Sequence, residues 1–321
     1  MILSDAELSP QETAEQALSR FGCDGCAPSL LNISENETWR VTRPGGSPAV
    51  LRRYRAGRTR AEVAAELAWM QALDGDTDIS VPPVLPARDG ACFVTVDGRH
   101  YAMFGWVPGA EPDETELERW FGRLGDVCAR LHLHADGWAG ASSARPRYGF
   151  EALVGEQALW GAWRRAPGLG ARDIALVERV VRRLGERLGA LPPSATGLIH
   201  GDLRLANLLV EDDRLTVIDF DDCGHGWRLY DLATALSLTE DAPAAPAAAH
   251  AWLEAYRLRR AIPAAERALV PDMIMLRRIQ VLAWFASHAD TDLAREFGPP
   301  SIAATLAAAA AFERGKSPFR Q

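Results

Sequence analysis

The stretch Leu198-Ile199-His200-Gly201-Asp202-Leu203-Arg204-Leu205-Ala206-Asn207-Leu208-Leu209-Val210, followed by Leu215-Thr216-Val217-Ile218-Asp219-Phe220-Asp221-Asp222, sets carboxylates and an amide beside short apolar runs. Leu208 to Val210 and Leu215 to Ile218 read as a strand pair joined by Glu211-Asp212-Asp213-Arg214, and such a hairpin holds the flanking polar residues close in space. Magnesium takes hard oxygen ligands and keeps water and substrate phosphates, so an Asp with an Asn carbonyl suits half of its shell. A further carboxylate, not consumed by metal, can orient or deprotonate an attacking hydroxyl.

Asn207 stands five positions after Asp202, and Asp219 seventeen, which is the layout of the catalytic loop and metal-binding aspartate in kinase phosphoryl transfer. With Gly224-His225-Gly226-Trp227-Arg228-Leu229-Tyr230-Asp231-Leu232-Ala233 downstream, the sequence resembles the aminoglycoside phosphotransferase and choline kinase superfamily, small relatives of the protein kinases. Ser34 to Val41, Val50 to Arg55, Glu66 to Trp69 and Phe104 to Gly109 fall in that family's order, so the resemblance covers roughly residues 30 to 290. It is nearest the branch with type II homoserine kinase, hydroxylysine kinase and the bacterial stress-response kinase.

The resemblance implies an α+β, bilobal, protein-kinase-like fold: a small β-rich N-lobe over 1–107, a hinge at about 103–110, and a larger helical C-lobe over 108–321. It implies ATP and Mg2+ as cofactors, Asp202 as catalytic base, and Asn207 and Asp219 as magnesium ligands. Arg52 stands where the family has the strand lysine that grips the α- and β-phosphates, and Glu66 where a helix supplies its ion-pair partner. Strand alternation sends Arg52 and Arg53 to opposite sides, so at most one of them faces the nucleotide. Ser34 and Asn36 lie in the loop expected to cover the phosphates, which has no glycine and so offers side chains where a Gly-rich cradle would offer N–H groups. Tyr101 to Val107 is the expected adenine-facing hinge strand. His200 is implied to buttress the catalytic loop, and Asp231 to accept backbone hydrogen bonds from it or to cap the helix after Tyr230. Asp221 and Asp222 stay open between a second carboxylate near the metal, a cap, and a patch that attracts a cationic substrate.

The surrounding pattern agrees with two lobes. Helical spacing runs from Asp5 to Phe21, with Ser9-Pro10 as N-cap and first position, and again over residues 59 to 73. Leu30 to Ile33, Trp39 to Val41, Ala49 to Leu51, Cys92 to Val96 and Tyr101 to Phe104 read as strands, the last two joined at Asp97-Gly98. Helices follow at Leu117 to His132, Asp173 to Leu188, Ala247 to Arg257, Val270 to His288 and Ile302 to Phe312, with Arg145 to Gly170 as an irregular insertion. Trp138, Tyr148, Trp160, Trp163, Trp227 and Trp284 line an acceptor pocket or fill the core, and the core is the commoner place for such residues. Arg277, Arg278 and His288 either bind an acceptor carboxylate or form a solvated helix face, and the latter is expected.

Composition removes other chemistries. The chain of 321 residues is 48% hydrophobic and 24% charged, the balance of a folded globular protein. Its single lysine, Lys316, excludes Schiff-base chemistry and a Walker A loop, since Ala310 stands where that motif needs its first glycine. A net charge of −8 without a basic block argues against a nucleic-acid partner. The acidic start and the lack of a long apolar run predict no membrane association and a cytoplasmic location. Cys23 and Cys26 form a CxxC with no second ligand pair, so ordinary thiols are expected. The sequence therefore predicts an ATP-dependent kinase that phosphorylates a hydroxyl of a small metabolite, such as an amino acid, amino alcohol or aminoglycoside-like amine. The alternatives are a Ser/Thr protein kinase like the stress-response member, and a non-catalytic nucleotide-binding scaffold, which Arg52 and the glycine-free loop would suit.

Overall fold

The computed structural model describes residues 9–33, 35–140 and 144–320. In chain order the elements are α1 (Pro10–Arg20), β1 (Ser29–Ile33), β2 (Glu37–Thr42), β3 (Pro48–Arg53), α2 (Arg60–Asp76), β4 (Val84–Leu85), β5 (Phe93–Val96), β6 (Arg99–Gly105) and α3 (Leu117–Gly137). There follow β7 (Arg147–Tyr148), α4 (Phe150–Val154), α5 (Ala171–Leu188), β8 (Thr196–Ile199), β9 (Leu208–Glu211), β10 (Arg214–Val217) and β11 (Gly224–Trp227). The chain closes with α6 (Tyr230–Ala235), α7 (Ala245–Arg259), α8 (Ala264–Arg267), α9 (Val270–Ser287) and α10 (Asp292–Glu313). The described residues form two compact units. One holds the chain up to Ala110 with Ala139–Arg145 and Leu209–Asp221; the other holds Glu111–Trp138, Pro146–Leu208 and the chain from Asp222 onward.

The first unit is built on an antiparallel sheet in the order β1-β2-β3-β6, with β4 and β5 both paired to β6. Alternation along β2 and β3 turns Trp39, Val41, Ala49 and Leu51 inward, where they meet Ala14, Ala17 and Leu18 of α1. Helix α1 starts where Ser9-Pro10 predicts: Ser9 Oγ accepts from Glu12 N, and Glu12 returns a carboxylate oxygen to Ser9 N at 2.8 Å. Thr59 and Glu62 form the same reciprocal cap on α2. The Asp97-Gly98 turn takes positive φ at both residues, 48° and 69°, which closes the β5–β6 hairpin with the twist of its strands. The β9–β10 segment was expected within the helical part, but residues 209–221 belong with the sheet. Ala110 and Val210 exchange backbone hydrogen bonds at 3.1 and 2.8 Å, and Ser80 bridges Thr216.

The second unit packs its helices by close backbone approach. A Cβ at Gly125 of α3 would lie 2.2 Å from Trp252 O of α7, so these two helices meet at a position only glycine can fill. A small sheet, β7-β11-β8, goes beyond the sequence reading, since Gly224-His225-Gly226 lacks the β-branched and aromatic residues that mark a strand. Here the glycines make room for Tyr148: a Cβ on Gly224 would stand 2.7 Å from its ring. The Arg145 to Gly170 insertion is ordered by this strand, by α4 and by the fully buried Trp163. Helix α10 begins ten residues before the predicted Ile302, running through Gly298-Pro299-Pro300, a sequence that local propensity reads as a break. Helix α9 is buried nearly throughout, Arg277 and Arg278 included at 4% and 5% exposure, so the expected solvated face is inside the protein.

Candidate active site

In the first unit, β3, α2 and the residues after β10 bring three predicted residues together. Arg52 Nη1 lies 3.2 Å from Glu66 Oε1, and its Nη2 lies 3.0 Å from Asp219 Oδ1. Glu66 comes to this place because α2 spaces it three residues from Trp69, which packs edge-on against Phe220 at 5.4 Å beside Asp219. The guanidinium also lies over Phe104, 5.2 Å from the ring centroid. Burial works against its charge, but Asp219 and Glu66 outweigh it and hold Arg52 above its ordinary range. Glu66 is fully buried, and desolvation, reinforced by Asp221 and only partly opposed by Arg52, pushes it up to about 7.

Asp219 is held at φ +63°, a left-handed conformation uncommon outside glycine. Its Oδ1 is buried with no hydrogen bond, since the Arg52 contact is close in distance but unaligned. A hard oxygen kept out of the protein's own hydrogen-bond network fits a divalent cation such as Mg2+. Arg53 points the other way, to Glu37 at 2.6 Å, as strand alternation requires. Asp221 is spent inside the protein: Arg58 Nε lies 3.1 Å from its carboxylate, while Arg58 and Arg145 both donate to its carbonyl. Burial raises Asp221, but Arg58, Arg55, Arg52 and a hydrogen bond from Asn36 outweigh that and hold it below the usual carboxylate range. Asn36 also accepts from Arg55 N at 2.9 Å, so its amide ties the loop to the end of β3. Ser34 lies outside the described residues.

In the second unit, the loop after β8 carries Asp202 and Asn207. Gly201 takes φ +83°, and a Cβ there would fall 2.5 Å from Asp222 O, so only glycine lets the loop turn before Asp202. Asp231 accepts from His200 N at 3.0 Å and Gly201 N at 2.8 Å, and His132 Nε2 lies 3.0 Å from the same carboxylate. Burial opposes the Asp231 charge, but the hydrogen bond and charge of His132, with His200 and Gly201, hold it low. It is thus the anchor of the loop; it lies inside α6 and is not the N-cap. His200, fully buried, accepts from Asp202 N at 3.3 Å, the buttress that the sequence implied. Asn207 Nδ2 donates to Asp202 O at 2.7 Å and to Asp202 Oδ2 at 2.9 Å, leaving its carbonyl oxygen as the atom to offer a cation.

Sequence reasoning missed how Asp202 is held. Arg277 Nη2 donates to Asp202 Oδ1 at 2.7 Å, across 75 positions of sequence. Arg278 is likewise paired, 2.5 Å from Asp241 Oδ2 and 3.9 Å from Glu240 Oε2. The available signal was α9 itself: apart from Arg277, Arg278 and Gln280 it is almost wholly apolar from Met273 to Phe285, which marks a buried helix whose charges need partners. Of the aromatic residues, Tyr148, Trp163 and Trp227 are core, while Trp160 lies under the Arg277 guanidinium at 5.0 Å.

Comparison with known proteins turns this geometry into a classification. Residues 31–269 match the profile of the phosphotransferase enzyme family. The chain belongs to that family. This phosphotransferase is 32% identical to an uncharacterised protein of Deinococcus radiodurans over 92% of this chain and 86% of that one. It is 29% identical to a homoserine kinase of Granulibacter bethesdensis over 81% and 82% of the two chains. Among solved structures, a microcompartment-associated aminopropanol kinase aligns with a TM-score of 0.85 and 38% identity, covering 96% of this phosphotransferase and 98% of that chain. An amicoumacin kinase, at 19% identity, TM-score 0.73 and coverage of 91% and 89%, shares the fold. The family and the protein-kinase-like mixed fold are those that the sequence resemblance implied, and the relatives of named activity given above are small-molecule kinases. Among the described residues no helix is long and apolar enough to cross a membrane.

Proposed function

We propose that this phosphotransferase uses ATP and Mg2+ to phosphorylate the hydroxyl of a small amino alcohol. The observation that carries the reading is the 38% identity, over nearly the whole of both chains, to an aminopropanol kinase. Asp202 is the proposed catalytic base, taking the proton of the acceptor hydroxyl as that oxygen bonds to the terminal phosphorus of ATP and the bond from this phosphorus to the bridging oxygen breaks, releasing ADP. Asn207 and Asp219 would hold Mg2+, which when bound neutralises charge on the phosphates. Arg52, steadied by Glu66, is the proposed phosphate clamp in place of a lysine; its planar two-armed head can bond a phosphate oxygen pair. The backbone of Tyr101 to Val107 is the proposed seat of the adenine. Asn36 is proposed as the loop's tie to Arg55 and not as a nucleotide contact, because its amide is already engaged.

The homoserine kinases among the relatives favour a second reading, an amino-acid acceptor. Such an acceptor carries a carboxylate that needs a cation. The two arginines the sequence offered for it, Arg277 and Arg278, are each neutralised by carboxylates of the protein, which supports the amino alcohol.

A coupled ADP-release assay with Mg-ATP tests both, using 1-amino-2-propanol, ethanolamine, homoserine, an aminoglycoside and a serine peptide. The highest kcat/KM is expected on an amino alcohol, falling about 10²- to 10⁴-fold in Asp202→Asn, the range of a lost general base. Preference for homoserine or the peptide would replace the acceptor assignment. Mg-ATP binding without turnover on any acceptor would refute the kinase reading and favour the scaffold.

A further inference from the structure

Arg277 has a seat of its own inside the second unit. Its Nε donates to Ser237 Oγ at 2.9 Å, its Nη1 to Gln280 Oε1 at 3.0 Å, and its Nη2 to Asp202 Oδ1 at 2.7 Å. One face of the guanidinium lies 5.0 Å from the Trp160 ring centroid, and Tyr230, which donates to Gln280 Oε1, fixes the second residue of the seat. Every nitrogen of the group has a partner, and the side chain is 5% exposed. An arginine this fully engaged is rigid: its planar head cannot rotate without breaking several charge-assisted or neutral hydrogen bonds together.

The consequence falls on Asp202. Its Oδ1 is held by Arg277 and its Oδ2 by Asn207, so both carboxylate oxygens are fixed by the protein's own residues. Each oxygen keeps a lone pair for a further donor, because a carboxylate offers about four acceptor sites. Asp202 is thus oriented before any acceptor arrives, and a positive charge lies beside a carboxylate that is itself only 17% exposed. Pre-orientation of a reacting group is worth orders of magnitude in rate, and small displacements of its support forfeit much of it.

We propose that Arg277 is a positioning residue for this phosphotransferase, clamping the Asp202 carboxylate in the plane from which it receives the acceptor hydroxyl. This role rests on the reading of Asp202 as the base. It predicts that Arg277 acts on the chemical step through Asp202 and not on nucleotide binding.

Steady-state kinetics with Mg-ATP and 1-amino-2-propanol on the full chain test this, using Arg277→Met, Arg277→Lys, Asp202→Asn and the double variant Arg277→Met/Asp202→Asn. The expected result for Arg277→Met is a kcat about 10²-fold lower with the KM for ATP within about two-fold of wild type, the pattern of a lost positioning contact. Added guanidinium at non-denaturing concentration should restore part of that kcat, and urea at equal concentration should not. The double variant should be no slower than Asp202→Asn alone, because a residue acting through another has nothing left to act on. Should Arg277→Met fail to fold, as judged by circular dichroism, Arg277→Lys decides: its single ammonium cannot serve Asp202, Ser237 and Gln280 together, so kcat should fall at unchanged KM for ATP. Undiminished kcat, losses that add in the double variant, or a rise in the KM for ATP matching the fall in kcat would overturn the role of Arg277 while leaving the kinase reading intact. Absence of wild-type turnover on every acceptor would instead overturn the kinase reading, and this role with it.

Discussion

Replacing Glu66 by Gln probes a fully buried charge of the candidate site. Glu66 is fully buried, its Oε1 faces Arg52 at 3.2 Å, and its Oε2 has no hydrogen-bond partner. Desolvation raises it from 4.5 to about 7, against the attraction of Arg52. The folded protein therefore binds this proton more tightly than the unfolded chain does. The stability it contributes is fully present below pH 4.5 and is lost as pH rises towards 7. At roughly 1.4 kcal/mol per unit, the loss amounts to about 3 kcal/mol. Gln keeps the shape and the oxygen facing Arg52 but does not titrate. Urea unfolding of wild type and Glu66→Gln, followed by circular dichroism at intervals from pH 4.5 to 8, isolates the effect, because all other titrations cancel in the difference. The variant should gain about 3 kcal/mol on wild type across that range, most of it between pH 4.5 and 7. A difference that stays flat with pH would refute the reasoning, since Glu66 would then ionise as readily folded as unfolded.

Three further outcomes follow from the same geometry. Arg52→Lys cannot span Glu66 and Asp219 with two separate arms, and losing one charged contact at about 1.5–3 kcal/mol should raise the KM for ATP by about 10- to 100-fold; an unchanged KM would show that one ammonium suffices. Asp219→Asn keeps the left-handed turn, which Asn tolerates, but should abolish the magnesium-dependent part of the thermal shift produced by ATP, and retention of that part would remove Asp219 from the metal site. Gly201→Ala sets a Cβ against Asp222 O at positive φ and should cost about 1–3 kcal/mol of stability with a larger proportional fall in kcat than in thermal stability. Wild-type melting temperature and turnover in that variant would show that the loop before Asp202 can shift freely.

How legible the protein is from sequence depends on the range of the interaction concerned. Helix starts at Ser9-Pro10 and Thr59, the Asp97-Gly98 hairpin, the β9–β10 pair and the order of Asp202, Asn207 and Asp219 are set within a few residues, by caps, turn chemistry and spacing. So is the family, whose motif is a short ordered set of residue types that few other arrangements would produce. Even the partnership of Arg52 with Glu66 was implied by the family resemblance.

What the spacing could not supply was the use to which buried charges are put. Arg277 looked like the solvent-facing side of a helix until α9 was enclosed on all sides, after which its charge had to find Asp202, Ser237 and Gln280. Asp221, with three functional readings open, is consumed by Arg58, and Arg52 turns out to face Asp219 as well as Glu66. The two-residue strands β4 and β7 exist only because β6 and β11 offer them edges, and α10 continues through Pro299-Pro300 against its own propensity. Local sequence determined most of the elements and which chemical groups the loop after β8 carries. Tertiary packing decided which of those groups meet and which are already neutralised, because desolvation makes a buried charge find its partner wherever in the chain that partner lies.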